Sequence, residues 1–218
     1  MPNSDQIRHL RKNYGIDELN KDEMPKFPMD AFKEWFEKAN ACEEIEEANA
    51  MTLATCGKDG QPSARIVLLK GLKDEGLLFY TNYRGRKGQQ IAENSKGSLM
   101  FFWPPLERQL RIEGTIEKLP ANESDDYFNS RPKGSRLGAI ASDQSEEISS
   151  REALEKKLKD LEARYSNIEN IPRPDYWGGY ILKPLFWEFW QGRPNRLHDR
   201  IAYEKKKDNT WNIKRLSP

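Results

Sequence analysis

From Ala50 onward the chain reads as short apolar runs punctuated by turn residues. Met51-Thr52-Leu53-Ala54-Thr55 predicts a strand, Gly57-Lys58-Asp59-Gly60 a turn, and Ser63 to Lys70 the return strand. Gly71 to Gly76 predicts another turn and Leu77-Leu78-Phe79-Tyr80-Thr81 a third strand. A short helix from about Lys87 to Glu93 precedes strands at Ser98 to Trp103 and Gln109 to Glu117. Strands resume at Gly179 to Leu182, Phe186 to Trp190, Arg200 to Glu204 and Trp211 to Leu216. Short strands joined by tight turns predict an antiparallel meander or barrel.

Elsewhere the apolar spacing becomes helical. Asp30 is placed to cap a helix carrying Phe32, Trp35, Phe36 and Ala39 on one face. A helical segment is expected near Asn122 to Asn129, with 131–148 irregular after it. Ser149-Ser150-Arg151-Glu152 reads as a capping box opening a helix striped by Leu154, Leu158, Leu161 and Tyr165. That stripe lasts barely two heptads, so it reads as a packing face rather than a coiled coil. Prolines mark 167–175 as a linker. Residues 1–28 are polar and read as a mobile arm, with one short helical turn around Ile7 to Tyr14. The expected organisation is this arm plus a single domain over 29–218, mainly β (α+β), its N- and C-terminal strands closing one barrel and its helices peripheral.

Composition narrows the picture. Hydrophobic residues make up 36% and charged residues 33%, so the core must be modest, although 11% aromatics offset this. Part of the apolar surface is then expected to be completed by a second subunit. A net charge of +1 gives no global field toward nucleic acid or membrane, so local clusters must carry any anion binding. Cys42 and Cys56 form no Cys-x-x-Cys pattern, and with only two His no metal site is expected. No signal-peptide pattern and no bilayer-length apolar run are visible, which favours a cytoplasmic protein.

Four constellations carry candidate chemistry. In Phe189-Trp190-Gln191-Gly192-Arg193-Pro194-Asn195-Arg196-Leu197-His198-Asp199-Arg200, the alternation Arg196, His198, Arg200 places three polar groups on one face of a predicted strand. Such a face lines an anion site or is a solvated charged edge, and spacing alone does not separate the two. In Arg65-Ile66-Val67-Leu68-Leu69-Lys70, a strand would point Arg65 and Lys70 to opposite faces, and alone it reads as a buried strand with charged ends. Tyr80-Thr81 followed by Arg84, Arg86 and Lys87 at a helix start suits a phosphate, or is a solvated basic loop. Tyr127 and Arg131 share a helix face if the helix persists, and with Ser135 they suit a second phosphate, or serve ordinary capping; Gln144-Ser145 add neutral donors. Two anion clusters, several aromatics and one His suit a site for two phosphorylated aromatic molecules. No paired-carboxylate, Ser-His-Asp, Gly-x-Gly-x-x-Gly or Walker pattern competes with this.

The run Glu188-Phe189-Trp190-Gln191-Gly192 with Arg196-Leu197-His198-Asp199-Arg200 resembles the C-terminal signature of the pyridoxine/pyridoxamine 5′-phosphate oxidase family. Arg-Ile-Val-Leu-Leu-Lys at 65–70, Phe-Tyr-Thr-Asn at 79–82, Arg86-Lys87, Glu107-Arg108-Gln109, Tyr127-Phe128, Ser130-Arg131-Pro132, Gln144-Ser145 and Trp177-Gly178-Gly179 also match in order and spacing. The likeness runs from about Arg11 to Pro218. It implies an FMN-binding split β-barrel working as a homodimer with flavin at the subunit interface. It further implies FMN contacts from Arg65, Ile66, Val67, Leu68, Leu69, Lys70, Tyr80, Thr81, Arg86, Lys87 and Gln109. Gln144, Ser145, Trp190 and Arg200 would complete the flavin site from the other subunit. Lys70, Tyr127, Arg131 and Ser135 would hold the substrate phosphate. Arg196 and His198 would meet the pyridine ring and its reacting arm, and Arg11 and Tyr14 would belong to an N-terminal lid. The implied reaction oxidises pyridoxamine or pyridoxine 5′-phosphate to pyridoxal 5′-phosphate, with dioxygen giving hydrogen peroxide and the amine releasing ammonia. His198 either orients the C4′ substituent or assists its proton loss. The sequence departs from the family at Arg136-Leu137, where Gln-Ile is expected, and at Glu146-Glu147 beside the flavin loop. A flavin reductase using a nicotinamide donor and a pyridoxal-phosphate carrier are the competing readings.

Overall fold

The computed structural model describes residues 4–218; the first three residues of the expected arm lie outside them. The chain begins with helices α1 (Ser4–His9) and α2 (Pro28–Asn40). Strands β1 (Ala50–Cys56), β2 (Pro62–Leu68), β3 (Gly71–Lys73) and β4 (Gly76–Asn82) follow. Next come helix α3 (Arg86–Glu93) and strands β5 (Lys96–Trp103) and β6 (Arg108–Lys118). Helices α4 (Ala121–Ser130), α5 (Lys133–Ala141) and α6 (Arg151–Arg164) precede β7 (Trp177–Gln191), β8 (Asp199–Lys205) and β9 (Trp211–Arg215). The fold is thus mainly antiparallel β with helices added, the class expected from the turn-punctuated pattern. Among the described residues no helix is long and apolar enough to cross a membrane.

The residues gather into two compact units, and β5, β6 and β7 contribute to both. The central unit comprises Ala50–Leu99 and Glu113–Pro184. Its strands follow the neighbour order β2-β1-β5-β6-β7-β4-β3. The β1–β2 hairpin pairs Ala50 with Leu68 and Cys56 with Pro62, and Gly57 to Gly60 makes its turn as expected. Met51, Leu53, Leu77, Phe79, Leu99 and Leu182 fill its core. Phe128, Leu137, Ile171 and Trp177 form a second cluster, onto which Leu158, Leu161 and Tyr165 of α6 pack. The stripe on α6 is therefore a packing face.

The terminal unit comprises the chain to Asn49, Met100–Ile112 and Leu185–Pro218. Here β8 pairs with β7 and β9 with β8, with Trp190 opposite Arg200. The apolar face of α2 supplies Phe32, Trp35 and Ala39. Phe32 meets Phe101 and Trp187 at 5.5 and 5.9 Å between centroids, and Trp35 stands edge-on to Phe189 at 5.0 Å. Burying such a ring contributes about 1.5–3 kcal/mol, and each well-placed aromatic pair roughly 0.5–1.5 more. Aromatics thus supply much of this unit's core, as the composition implied.

Several local expectations are corrected. Asp30 lies inside the first turn of α2; Phe27 is the N-cap and Pro28 opens the helix, where its missing N–H and preset φ cost nothing. Ser150, not Ser149, caps α6, accepting from the Ala153 N–H. The stretch 131–148 holds helix α5. The predicted strands at Gly179 and Phe186 are one 15-residue strand, β7, running through Pro184. Gly71 to Gly76 is a tight hairpin of β3 with β4 rather than a plain turn. The first helix ends at His9, before Leu10 to Tyr14.

Candidate functional site

In the central unit a cavity of about 310 Å³ opens where β2, β4 and the helical segments converge. Arg65, Ile66, Val67, Leu68 and Lys70 line one part of it, and Tyr80, Thr81 and Lys87 another. Tyr127, Arg131, Gln144 and Trp177 complete the walls. Four of these residues are cations and none is a carboxylate, a composition suited to a multiply charged anion.

The structure corrects two parity arguments here. Arg65 and Lys70 line the same cavity because β2 ends at Leu68, and the strand alternation ends with it. Helix α4 stops at Ser130, so Arg131 is an extended C-cap residue (ψ 147°) and not the next step of a helical face. Its guanidinium nevertheless reaches the cavity by lying 4.7 Å over the Trp177 ring.

Two of the cations, Arg65 and Lys87, are held by neutral groups. Arg65 Nη1 donates to Thr55 Oγ1 (2.6 Å) and to the Leu53 carbonyl, and Nη2 donates to Ser63 Oγ. Both hydroxyls donate onward to Gln90 Oε1 at 2.7 Å. Lys87 Nζ donates to Gln144 Oε1 (2.6 Å) and Thr81 Oγ1 (3.2 Å). Burial and then the Arg65 charge push the Lys87 ammonium down from its ordinary value. Burial, followed by Arg86, does the same to Arg65. Arg131 Nη1 is buried with no hydrogen-bond partner, and burial lowers its pKa as well. Tyr80 and Tyr127 stack at 3.8 Å, nearly parallel with Trp177, and burial raises both phenols. The aromatic wall offers a flat face, and the unmatched guanidinium N–H offers a donor to a phosphate oxygen.

Other expected residues of this unit do not line the cavity. Leu69 is buried. The Arg86 N–H donates to Ser145 Oγ, and Ser145 has a left-handed backbone (φ 75°). Gln144 and Ser145 thus stand beside the cations of their own chain, not across from them in a second subunit as the resemblance implied. Ser135 is exposed within the first turns of α5. Trp177 was missed as a wall residue; its place in the Trp-Gly-Gly run was the available signal.

The terminal unit has a second pocket of about 290 Å³ lined by Arg11, Lys12, Asn13, Tyr14, Arg193, Asn195 and Arg196. The expected strand face of Arg196, His198 and Arg200 does not form. Pro194–Arg196 is a 3-10 turn with Asn195 and Arg196 both left-handed (φ 56° and 63°), and β8 starts only at Asp199. Turn geometry, not pleating, aims Arg196 and His198. His198 Nδ1 accepts from the Arg193 N–H at 3.1 Å, which leaves any proton of the neutral ring on Nε2. Burial, then the Arg196 charge, lowers the imidazole pKa. Tyr14 meets Trp190 and His198 edge-on, both at 5.7 Å. Arg200 Nε donates to Glu188 Oε1 (2.7 Å), and Arg111 donates to Glu188 Oε2. Burial opposes ionisation of Glu188, but the two guanidiniums outweigh it and hold the carboxyl below its ordinary range. Gln109 shares the half-exposed face of β6 with Arg111. Lys12 and Asn13 were not anticipated as pocket residues, since no motif marks them, and Arg193 and Asn195 were not singled out within the 189–200 run.

The fold is thus an antiparallel one of the split-barrel class, and it carries a cationic, aromatic-walled cavity. Residues 37–165 match the family model described as pyridoxamine 5′-phosphate oxidase. Residues 177–218 match the pyridoxine 5′-phosphate oxidase C-terminal dimerisation region. The chain is 51% identical to the pyridoxine/pyridoxamine 5′-phosphate oxidase of Salinibacter ruber, covering 97% of this chain and 99% of that protein. It is 53% identical to that of Bordetella pertussis, over 97% and 99%. The crystal structure of PhzG from Burkholderia lata, in complex with tetrahydrophenazine-1-carboxylic acid, superposes with a TM-score of 0.86 at 32% identity, covering 93% of this chain and 99% of that one. The chain belongs to the pyridoxamine 5′-phosphate oxidase family and is an oxidoreductase.

Proposed function

We propose that this protein oxidises pyridoxamine 5′-phosphate and pyridoxine 5′-phosphate to pyridoxal 5′-phosphate, as a homodimer in the cytoplasm. Dioxygen accepts the two electrons and becomes hydrogen peroxide; the amine substrate also consumes water and releases ammonia. The observation that carries the reading is the central cavity, with four cations, no lining carboxylate and an unpartnered Arg131 N–H over an aromatic wall. The names of relatives at 51–53% identity support the same substrates.

FMN, when bound, supplies the hydride-accepting chemistry, and the protein supplies position and electrostatics. Arg65 to Lys70, Tyr80, Thr81, Arg86, Lys87 and Gln109 bind the flavin with Gln144 and Ser145, which lie beside Lys87 and Arg86 of the same chain, and Trp190 and Arg200 complete its site from the other subunit. Lys70, Tyr127, Arg131 and Ser135 bind the substrate phosphate. Arg196 orients the pyridine ring. His198, neutral and with Nδ1 engaged by the Arg193 N–H, presents Nε2 to the C4′ substituent. Arg11 and Tyr14 cover the substrate.

The test is direct. The purified protein should be yellow with flavin absorbance and should form pyridoxal 5′-phosphate and peroxide from pyridoxamine 5′-phosphate under air. Faster oxidation of NADH, or of a reduced phenazine carboxylic acid like the PhzG ligand, would overturn the reading.

A further inference from the structure

Glu107 is a buried charge whose partners come from one segment. Its side chain is 2% exposed. It follows the 3-10 turn Pro104–Leu106 in a left-handed conformation (φ 54°), uncommon for a residue with a Cβ. Glu107 Oε2 accepts from the Gly15 N–H at 2.7 Å and the Ile16 N–H at 3.1 Å. Its Oε1 lies 3.5 Å from Lys12 Nζ. Burying a carboxylate is costly unless it is paired and hydrogen-bonded, and here that pairing is supplied by residues 12–16. Burial raises the Glu107 carboxyl, and the two backbone N–H groups with Lys12 outweigh that, holding it below its ordinary range.

The neighbouring Arg108 makes a second clasp. Its Nη2 donates to Asp17 at 2.6 Å, while Nε donates to Gln191 and the guanidinium lies 4.5 Å over Trp35. Just before these clasps, Tyr14 packs against Gly192 so closely that a Cβ there would stand 2.7 Å from its ring. Arg11 lines the same pocket as Arg196.

We infer that Glu107 is a positioning residue for substrate binding: it pins the arm at Gly15 and Ile16, and so sets Arg11 and Tyr14 against Arg196 and His198. The substrate half of this inference rests on the proposed function. The buried carboxylate has no chemistry of its own in the reaction; it acts through the arm.

The experiment compares Glu107→Ala and Glu107→Gln in the full-length, FMN-loaded enzyme. Amide hydrogen exchange at Gly15 and Ile16 should quicken about tenfold or more in the Ala variant, since hydrogen bonds to a charged group are lost. Gln keeps a carbonyl able to accept the same N–H groups, so it should fall between Ala and wild type. The KM for pyridoxamine 5′-phosphate should rise roughly threefold to tenfold with little change in kcat or in the FMN dissociation constant. Unchanged exchange at Gly15 and Ile16 would overturn the inference, as would faster exchange with an unchanged KM. Equal loosening of β8 and β9 would make Glu107 a general structural residue and overturn it too. If the wild-type enzyme did not oxidise pyridoxamine 5′-phosphate, the proposed function would fall, while the exchange result would still decide whether Glu107 holds the arm.

Discussion

The central cavity and the terminal pocket are both rich in cations, but they treat them oppositely. In the central cavity Arg65 and Lys87 are held by hydroxyl, carbonyl and amide oxygens, and Arg131 lies over a ring. In the terminal unit cations meet carboxylates: Arg200 with Glu188, Lys12 with Glu107, Arg193 with Glu18 and Asp199, Arg215 with Asp199. Neutral oxygens fix a cation's place without cancelling its charge, so the central cavity keeps its field for an incoming anion. Carboxylate pairing spends that field on geometry and ties the arm and the 192–200 turn into shape. The first region is built for affinity and the second for alignment.

Removing a group from each region should therefore fail in different ways. The largest effect is expected at Arg196. Arg196→Leu should slow anaerobic reduction of the flavin by substrate on the order of a hundredfold, because a misplacement of about 1 Å has that consequence. A wild-type rate at saturating substrate, in stopped flow, would erase the alignment role. Arg131→Ala should instead raise the substrate KM about tenfold to a hundredfold, the loss of a charge-assisted contact to phosphate. Its FMN dissociation constant should stay near wild type; lost flavin with an unchanged KM would move Arg131 to the other ligand.

Paired glycine changes sharpen the contrast. A Cβ at Gly192 would stand 2.7 Å from the Tyr14 ring, and one at Gly85 would stand 2.8 Å from the Gln144 side-chain oxygen. Gly192→Ala should raise KM by displacing Tyr14, roughly threefold to tenfold, with flavin affinity kept. Gly85→Ala should weaken FMN by less, because the end of a flexible Gln can shift. The reverse pattern, read by steady-state kinetics and flavin titration, would contradict the division of labour.

The smallest effect is a pH dependence at His198. Burial and the Arg196 charge depress its pKa below the ordinary 6.5. The unfolded chain then binds more protons below that pH, so stability from this group is present above about 6.5 and is lost as pH falls through the folded value. An NMR titration should find the imidazole below 6.5 in the wild type and shifted upward in Arg196→Leu. A value above 6.5 would show that a carboxylate, not Arg196, dominates its surroundings.

The sequence by itself determined what is local. Turn residues at Gly57 to Gly60 set the first hairpin, an apolar stripe set α2, and the charged clusters at 65–70, 86–87 and 196–200 marked the two sites. It also carried the family in motifs long enough to identify. Only the tertiary structure decided where elements stop and which distant groups meet. Strand and helix periods assign faces only while an element lasts, and pairing partners and backbone strain end it. So Arg65 and Lys70 share a cavity because β2 ends at Leu68, and Arg196 is aimed by a left-handed turn instead of a pleat. Glu107 meets Gly15 across 92 residues, a pairing that no local spacing encodes because it is the burial of the carboxylate that demands a partner.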